Sequence, residues 1–145
     1  MKRIHFSTQI NATKEKIWAV LWNDETYRTW TSVFCEGSYA ESKWNEGDKI
    51  LFLTPSGNGM FSIIAKKIPN EYMSFEHFGN VIDGKEQPID EETEKWTGAQ
   101  ENYTLKEKDG HAELSVDMDI TEEHEGYFLK AFPKGLQKIK ELSEN

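Results

Sequence analysis

The sequence predicts an α+β domain in which a curved antiparallel sheet is covered by one long helix at the C-terminal end. Three observations lead to this prediction. A strand-like segment and two short helical segments come first, a long run of strand-like segments follows, and an amphipathic helix comes last. A single helix across a curved sheet leaves room for a cavity between them, so the architecture itself points to a bound molecule.

The composition limits what the protein can do. A chain of 145 residues is expected to form a single domain spanning residues 1–145. The formal net charge of -9 and the lack of a Lys/Arg-rich run argue against nucleic-acid binding. Residues 1–10 have no continuous apolar core, so we predict no membrane insertion. The lone Cys35 cannot form an internal disulfide, which agrees with a reducing, cytoplasmic location.

The N-terminal elements are predicted from periodicity and capping. Residues 3–10 alternate between apolar and polar side chains, as a half-buried strand does. Thr13 is expected to cap a first helix whose apolar stripe includes Trp18. Asp24 is expected to cap a second short helix that places Tyr27 and Trp30 on one side.

From Gly37 onward the apolar period changes to two. The strands that we predict cover residues 49–54, 60–68, 72–78, 102–107 and 112–120. The turn at Asp109-Gly110 is a strong hairpin signal, and the last strand has the cleanest alternation in the chain.

Residues 83–95 contain six acidic residues and two lysines, with Pro88 near the middle. This segment lacks the apolar content of a core element, so we expect a mobile loop. Trp96 follows it and either anchors the loop to the surface or folds over the mouth of a cavity as a lid.

The C-terminal helix is expected to start at the cap Thr121 and to turn an apolar stripe towards the sheet. The stripe consists of Phe128, Phe132, Gly135, Ile139 and Leu142. Pro133 predicts a kink, or a break into a leading turn and a main helix. Gly135 is expected to let the helix approach the sheet closely.

These segments resemble the START-like (SRPBCC) superfamily. The run INATKEKIW at residues 10–18, then Asp24 and Trp30, then WNEGD at residues 44–48 and PNE at residues 69–71 carry the resemblance. Within the superfamily, the sequence is most similar to the C-terminal domain of the activator of heat-shock-protein-90 ATPase. The resemblance implies a helix-grip fold with a cavity under the C-terminal helix. It also implies a chaperone or another protein as a possible partner, and a role in the stress response.

No complete catalytic or metal-binding motif is present. A Gly-x-Ser-x-Gly elbow, a Gly-rich phosphate loop and a His-Glu-x-x-His pair are all missing, so we predict no catalytic residues, no metal and no cofactor. Residues 122–125 combine three glutamates with His124. Consecutive helical side chains point about 100° apart, so capping and solvation explain this cluster better than a metal site.

The candidate ligand-binding residues are aromatic side chains and one histidine. The rings that can line a cavity belong to Trp30, Phe52, Phe61, Phe75, Phe128 and Phe132. The same rings can equally fill the interior. His77 shares the phase of Phe75 and therefore points inward near Tyr103, where it either orients a ligand or is a core histidine bonded to the protein.

We therefore expect non-enzymatic binding of a small hydrophobic or amphipathic ligand between the sheet and the C-terminal helix. One alternative is a protein-interaction domain that acts on a chaperone. A second alternative is an enzyme of the cyclase/aromatase kind. That alternative requires at least one further acid/base group next to His77.

Overall fold

The computed structural model describes residues 1–145 and contains eight strands and four helices. In chain order these are β1 (Lys2–Ile10), α1 (Lys14–Trp22), α2 (Asp24–Thr31), β2 (Tyr39–Glu41), β3 (Lys49–Leu53), β4 (Gly59–Ile68), β5 (Tyr72–Ile82), β6 (Lys85–Glu86), α3 (Glu91–Glu94), β7 (Ala99–Lys108), β8 (His111–Ile120) and α4 (Glu122–Glu144).

The strands form one antiparallel sheet in the order β1-β8-β7-β5-β4-β3-β2, and β6 pairs with the end of β5. In β8 every second residue is buried, as the alternation of its sequence predicts. The buried face of the sheet is concave and carries the core, while the polar face is turned to water. With α4 closing the concave side, the structure confirms the predicted α+β helix-grip fold.

The first two helices begin close to where the sequence places them. The Thr13 side chain accepts a hydrogen bond from the backbone N–H of Lys16 at 3.2 Å, as predicted for a cap. The second cap was assigned one residue too late, because Asn23, not Asp24, precedes α2. Asp24 instead lies in the first turn, where its carboxylate pairs with Arg28 at 3.0 Å.

Residues 83–95 were predicted to form a mobile loop, but the segment contains two short regular elements, β6 and α3. Asp83 and Gly84 both have positive φ, which makes the tight turn that lets β5 continue to Ile82 and pair with β6. Asp90 then caps the single turn of α3, since its side chain accepts a hydrogen bond from the backbone N–H of Thr93 at 2.9 Å. Local turn and capping chemistry orders this acidic segment without a large apolar contribution.

The predicted stripe of α4 faces the interior. Phe132, Gly135 and Ile139 are buried, and Phe128 and Leu142 are partly buried against the core. The ring of Phe132 stacks on that of Phe6 in β1, with centroids 5.0 Å apart.

Pro133 was predicted to cause either a kink or a break in the C-terminal helix. The break does not occur, because α4 is one helix from Glu122 to Glu144. Pro133 is exposed and lies between buried residues that hold both halves of the helix in place. Thr121 is at the cap position, yet its hydroxyl lies 2.7 Å from His124 Nδ1 and makes no cap hydrogen bond.

Gly135 packs differently from the prediction. A Cβ atom built on it would meet the side chains of Phe34 and Val33 at 3.4 and 3.5 Å. The residue therefore lets α4 approach the segment that follows α2, and not the sheet. No helix in the structure combines the length and apolar character needed to cross a membrane.

Candidate functional site

An open cavity of about 230 Å³ lies between the concave face of the sheet and the N-terminal half of α4. Its wall is mostly aromatic, and α1, α2, β3, β5, β7 and α4 all contribute side chains to it. Six of the eight predicted binding residues line it: Trp30, Phe52, Phe75, Tyr103, Phe128 and Phe132. The sheet places Phe75 and Tyr103 on the same face, in the paired strands β5 and β7.

The aromatic wall is held in place by contacts among its own members. The indole N–H of Trp30 donates to the carbonyl oxygen of Leu21 at 3.1 Å, which fixes α2 against α1. Trp22 packs edge-on against Tyr103 with ring centroids 4.9 Å apart, and against Phe75 at 5.3 Å. These edge-to-face contacts are the preferred geometry of aromatic pairs, so the rings hold one another in position.

Glu101 is the one Asp or Glu side chain of this wall, which contains no Lys, Arg or His. It lies on β7 and accepts a hydrogen bond from the hydroxyl of Tyr103. Burial raises the pKa of the Tyr103 hydroxyl well above its ordinary value, and the nearby negative charge of Glu101 raises it further. Burial raises the pKa of Tyr27 in the same way, with a second contribution from Glu101. Both tyrosine hydroxyls are therefore shielded from solvent, and Glu101 places a negative charge near them.

His77 points inward, as the phase of β5 predicts, and is hydrogen-bonded on both ring nitrogens. Its Nε2 lies 3.1 Å from Glu101 Oε1, and its Nδ1 lies 2.6 Å from Ser62 Oγ. With Glu101 accepting the Nε2 hydrogen, Nδ1 is left to accept the hydroxyl hydrogen of Ser62. Ser62 and His77 are 2% and 6% exposed, so this relay is buried in the interior beside Glu101.

A second cavity of about 230 Å³ adjoins the first on the side of β8 and the start of α4. The two cavities share Met60, Glu101 and Phe128 as lining residues. His77 and Trp96 line the second cavity only. Trp96 thus forms part of a cavity wall, a position that agrees with either of its two predicted roles.

Phe61 lines neither cavity. Its ring lies over Gly79 of β5, where an added Cβ atom would come within 2.6 Å of Phe61 Cε1. The Lys49 ammonium is 6.0 Å from the centroid of the same ring, on the convex face of the sheet. Alternation along β4 explains this placement, because Ser62 and Ile64 are buried and Phe61 has the opposite phase.

The sequence interpretation missed three contributors to the site. Glu101 and Ser62 were not singled out, although both occupy inward positions of their strands. Trp22 was also missed, because only the residues in the middle of α1 were used to define its apolar stripe. Its burial and its contacts with Phe75 and Tyr103 place it at the centre of the wall.

The side chains of the acidic cluster at residues 122–125 do not converge on a common point. His124 contacts Thr121, and Glu125 pairs with Lys2 at 2.5 Å. No group of three His, Cys, Asp or Glu side chains in the structure is arranged to hold a metal ion.

Solved structures share this architecture over nearly the whole chain. The Aha1 dimer from Colwellia psychrerythraea is 22% identical, with a TM-score of 0.73 over 99% of this chain and 97% of that one. Protein MLL2253 from Mesorhizobium loti is 14% identical, with a TM-score of 0.76 over 97% and 96% of the two chains. DynU16, a protein of the dynemicin biosynthetic locus, is 9% identical, with a TM-score of 0.70 over 97% of this chain and 46% of its own.

No protein-family model matches the sequence, and no curated protein matches it. The structural likeness defines the class: the chain has the START-like, helix-grip fold. Within that class, its architecture is similar to that of the Aha1 structure.

Proposed function

We propose that the protein binds a small hydrophobic or amphipathic molecule between the sheet and α4, without transforming it. The observation that carries this proposal is the aromatic cavity of about 230 Å³, which stays open although many large rings surround it. An engineered apolar cavity of about 150 Å³ in another protein binds benzene, so this volume is enough for one or two fused rings. Burial of the apolar surface of such a molecule supplies the driving force.

The polar groups of the two cavities would orient the ligand. Tyr103 and Glu101 lie in the first cavity, and His77 reaches the second. A few fixed polar groups in an otherwise apolar pocket are the usual means by which a site sets the position of its ligand. We include Trp22 among the proposed binding residues and omit Phe61.

Native mass spectrometry of freshly purified protein tests the proposal, with a denatured extract of the same sample as the reference. We expect an additional mass on the native protein that is released on denaturation. Met60→Trp should abolish it, because Met60 lines both cavities and a larger side chain would fill them. Ile63→Trp is the matched control, since Ile63 follows the inward Ser62 on β4 and has the opposite phase. A native mass equal to the chain alone, or equal retention by both variants, would contradict the proposal.

One observation favours a second candidate, a catalyst of the cyclase/aromatase kind. That function requires an acid/base group beside His77, and Glu101 is hydrogen-bonded to His77 at 3.1 Å. A carboxylate and an imidazole that are hydrogen-bonded to each other beside a cavity can move a proton between the carbon and oxygen atoms of a bound polyketone. Ring closure of a linear poly-β-ketone by the wild type, lost in Glu101→Gln, would replace the non-enzymatic proposal.

The other alternative, a protein-interaction domain for a chaperone in the cytoplasm, stays a prediction. The likeness to the Aha1 structure supports it at the level of the fold. A pull-down with purified chaperone distinguishes it, because Met60→Trp should leave capture of a protein partner unchanged while it removes a bound small molecule.

A further inference from the structure

Apart from His77 and His124 in the second cavity, the ionisable side chains that line the two cavities and are charged at neutral pH are acidic. No Lys or Arg side chain lines either cavity, whereas Glu101 lines both and Asp119 lines the second. Asp119 is already paired with Arg3 at 2.9 Å, so its charge is compensated outside the cavity. Arg28, whose guanidinium carbon is 5.0 Å from the ring centroid of Tyr39, is paired with Asp24 at 3.0 Å. Glu101 is therefore the carboxylate of the cavity that lacks a Lys or Arg partner.

The hydrogen bonds of Glu101 leave acceptor capacity for a ligand. One oxygen accepts from the Tyr103 hydroxyl, and the other lies 3.1 Å from His77 Nε2. A carboxylate has about four acceptor positions, so each oxygen keeps one for a further donor. The Glu101 side chain is 18% exposed at the point where the two cavities meet. A donor that enters from either side can reach it.

The aromatic rings of the first cavity, into which Glu101 points, favour the same kind of ligand. Trp22, Tyr27, Trp30 and Tyr103 all line the first cavity. The faces of aromatic rings carry negative potential and attract cations, most strongly when the site is dry. A ring wall with one carboxylate in it combines two attractions for a positive group, and it repels a negative one.

We propose that the ligand is an organic cation, an amphipathic amine whose ammonium group binds at Glu101 while its apolar part occupies the aromatic cavity. This inference rests on the proposed binding function and specifies the chemical class of its ligand. The formal net charge of -9 also favours the approach of a cation over that of an anion. The raised pKa values of Tyr27 and Tyr103 agree with a negative potential from Glu101 in this part of the structure.

Three probes test the inference. They share one ring system and differ in charge. Naphthylmethylamine is cationic, naphthalenemethanol is neutral and naphthoate is anionic, and all three carry the substituent at the same ring carbon. Titration calorimetry at about pH 8 keeps the amine charged and ordinary histidines neutral. We expect the amine to bind the wild type about tenfold or more tightly than the alcohol, and the carboxylate to bind most weakly.

The variant Glu101→Gln keeps the shape of the side chain and removes its charge. We expect it to abolish the preference for the amine and to strengthen the binding of naphthoate. Glu76→Gln is the matched control, because Glu76 precedes the inward His77 on β5 and has the opposite phase, towards the convex face. It should leave the order of the three affinities unchanged.

The possible failures are distinguishable. Equal affinity of the wild type for all three probes, or an order that Glu101→Gln leaves unchanged, would overturn the cation inference and leave cavity binding intact. No measurable binding of any of the three probes would overturn the inference and count against the proposed binding function as well.

Discussion

The imidazole Nε2 of His77 lies 3.1 Å from Oε1 of Glu101, across the paired strands β5 and β7. This hydrogen bond links two otherwise separate parts of the interior. On one side, Ser62 is buried and bonded to His77 Nδ1. On the other side, Glu101 accepts a hydrogen bond from the Tyr103 hydroxyl at the edge of the aromatic cavity. The position of the carboxylate in the cavity thus depends on a buried relay that begins in β4.

Replacement of His77 by Phe should destabilise the protein. The variant leaves the hydroxyl of Ser62 buried without its partner, and an unsatisfied buried polar group costs about 1–3 kcal/mol. We therefore expect the free energy of unfolding in urea to fall by about that amount.

A double variant separates the lost hydrogen bond from a change in packing. Ser62→Ala together with His77→Phe removes both partners of the hydrogen bond between Ser62 and His77, so the part of the loss due to the unpaired Ser62 hydroxyl should return. The part due to the lost donor to Glu101 should remain. If His77→Phe alone is as stable as the wild type, the hydrogen bond between Ser62 and His77 contributes nothing measurable. Higher stability of His77→Phe with unchanged ligand retention would remove any functional role of the imidazole.

Replacement of Phe128 by Ala should weaken ligand binding, because this ring lines both cavities. We expect the affinity for naphthalenemethanol to fall roughly tenfold, since an aromatic pair contributes about 0.5–1.5 kcal/mol beyond the area that it buries. Phe61→Ala is the matched control, because Phe61 is also half-buried but lies outside both cavities. Equal loss of affinity in the two variants would show that the probe does not bind between the sheet and α4.

The ion pair between Arg3 and Asp119 should stabilise the protein only when the carboxyl is ionised. The hydrogen bond from Arg3 holds the pKa of Asp119 below its ordinary value of 3.8. A lowered carboxyl pKa contributes stability that is present above the ordinary value and is lost as pH falls through the value in the folded protein. The Arg3 side chain is half exposed, so solvent screening limits the effect to less than about 1 kcal/mol.

The variant Arg3→Met measures this contribution by urea unfolding at neutral and at acidic pH. We expect the variant to be less stable than the wild type at neutral pH, and the difference to shrink as pH falls below 3.8. A difference that stays constant over this range would mean that Arg3 acts through packing and not through the charge of Asp119.

The sequence predicts the sheet and the long helix well, because their signals are periodic over many residues. The alternation of β8 and the stripe of α4 each repeat often enough to specify which side is buried. The short elements within residues 83–95 were not predicted. They depend on a two-residue turn at Asp83 and Gly84 and on one helix cap at Asp90. Such local features are short, and composition does not reveal them.

The site was predicted less completely than the fold. Inward phase correctly places His77 beside Phe75, and the same rule applied to β4 would have excluded Phe61. Glu101 shares the phase of Tyr103 in β7, but the predicted strand began at residue 102, and a glutamate in a strand usually faces water. Its role depends on contacts across β5 and β7 with His77 and Tyr103, which the order of residues along one strand does not specify.

Two buried tyrosines should resist ionisation in the folded protein. The pKa values of Tyr27 and Tyr103 are raised above 10.0, mainly by burial. In an alkaline titration followed by phenolate absorbance, the native protein should therefore ionise fewer than its five tyrosines until it unfolds. The same titration in denaturant, where every tyrosine is exposed, supplies the full amplitude as a control.

The raised pKa values of these two tyrosines also make the free energy of unfolding fall as the pH rises into the alkaline range. A tyrosine with a raised pKa in the folded state contributes stability that is fully present below 10.0 and is lost as pH rises further, because the unfolded chain ionises first. Each such tyrosine should lower the free energy of unfolding by about 1.4 kcal/mol per pH unit above that value. Tyr103→Phe should remove one of these contributions and flatten the pH dependence. An equally steep loss in this variant would show that the Tyr103 hydroxyl does not contribute to the pH dependence of stability.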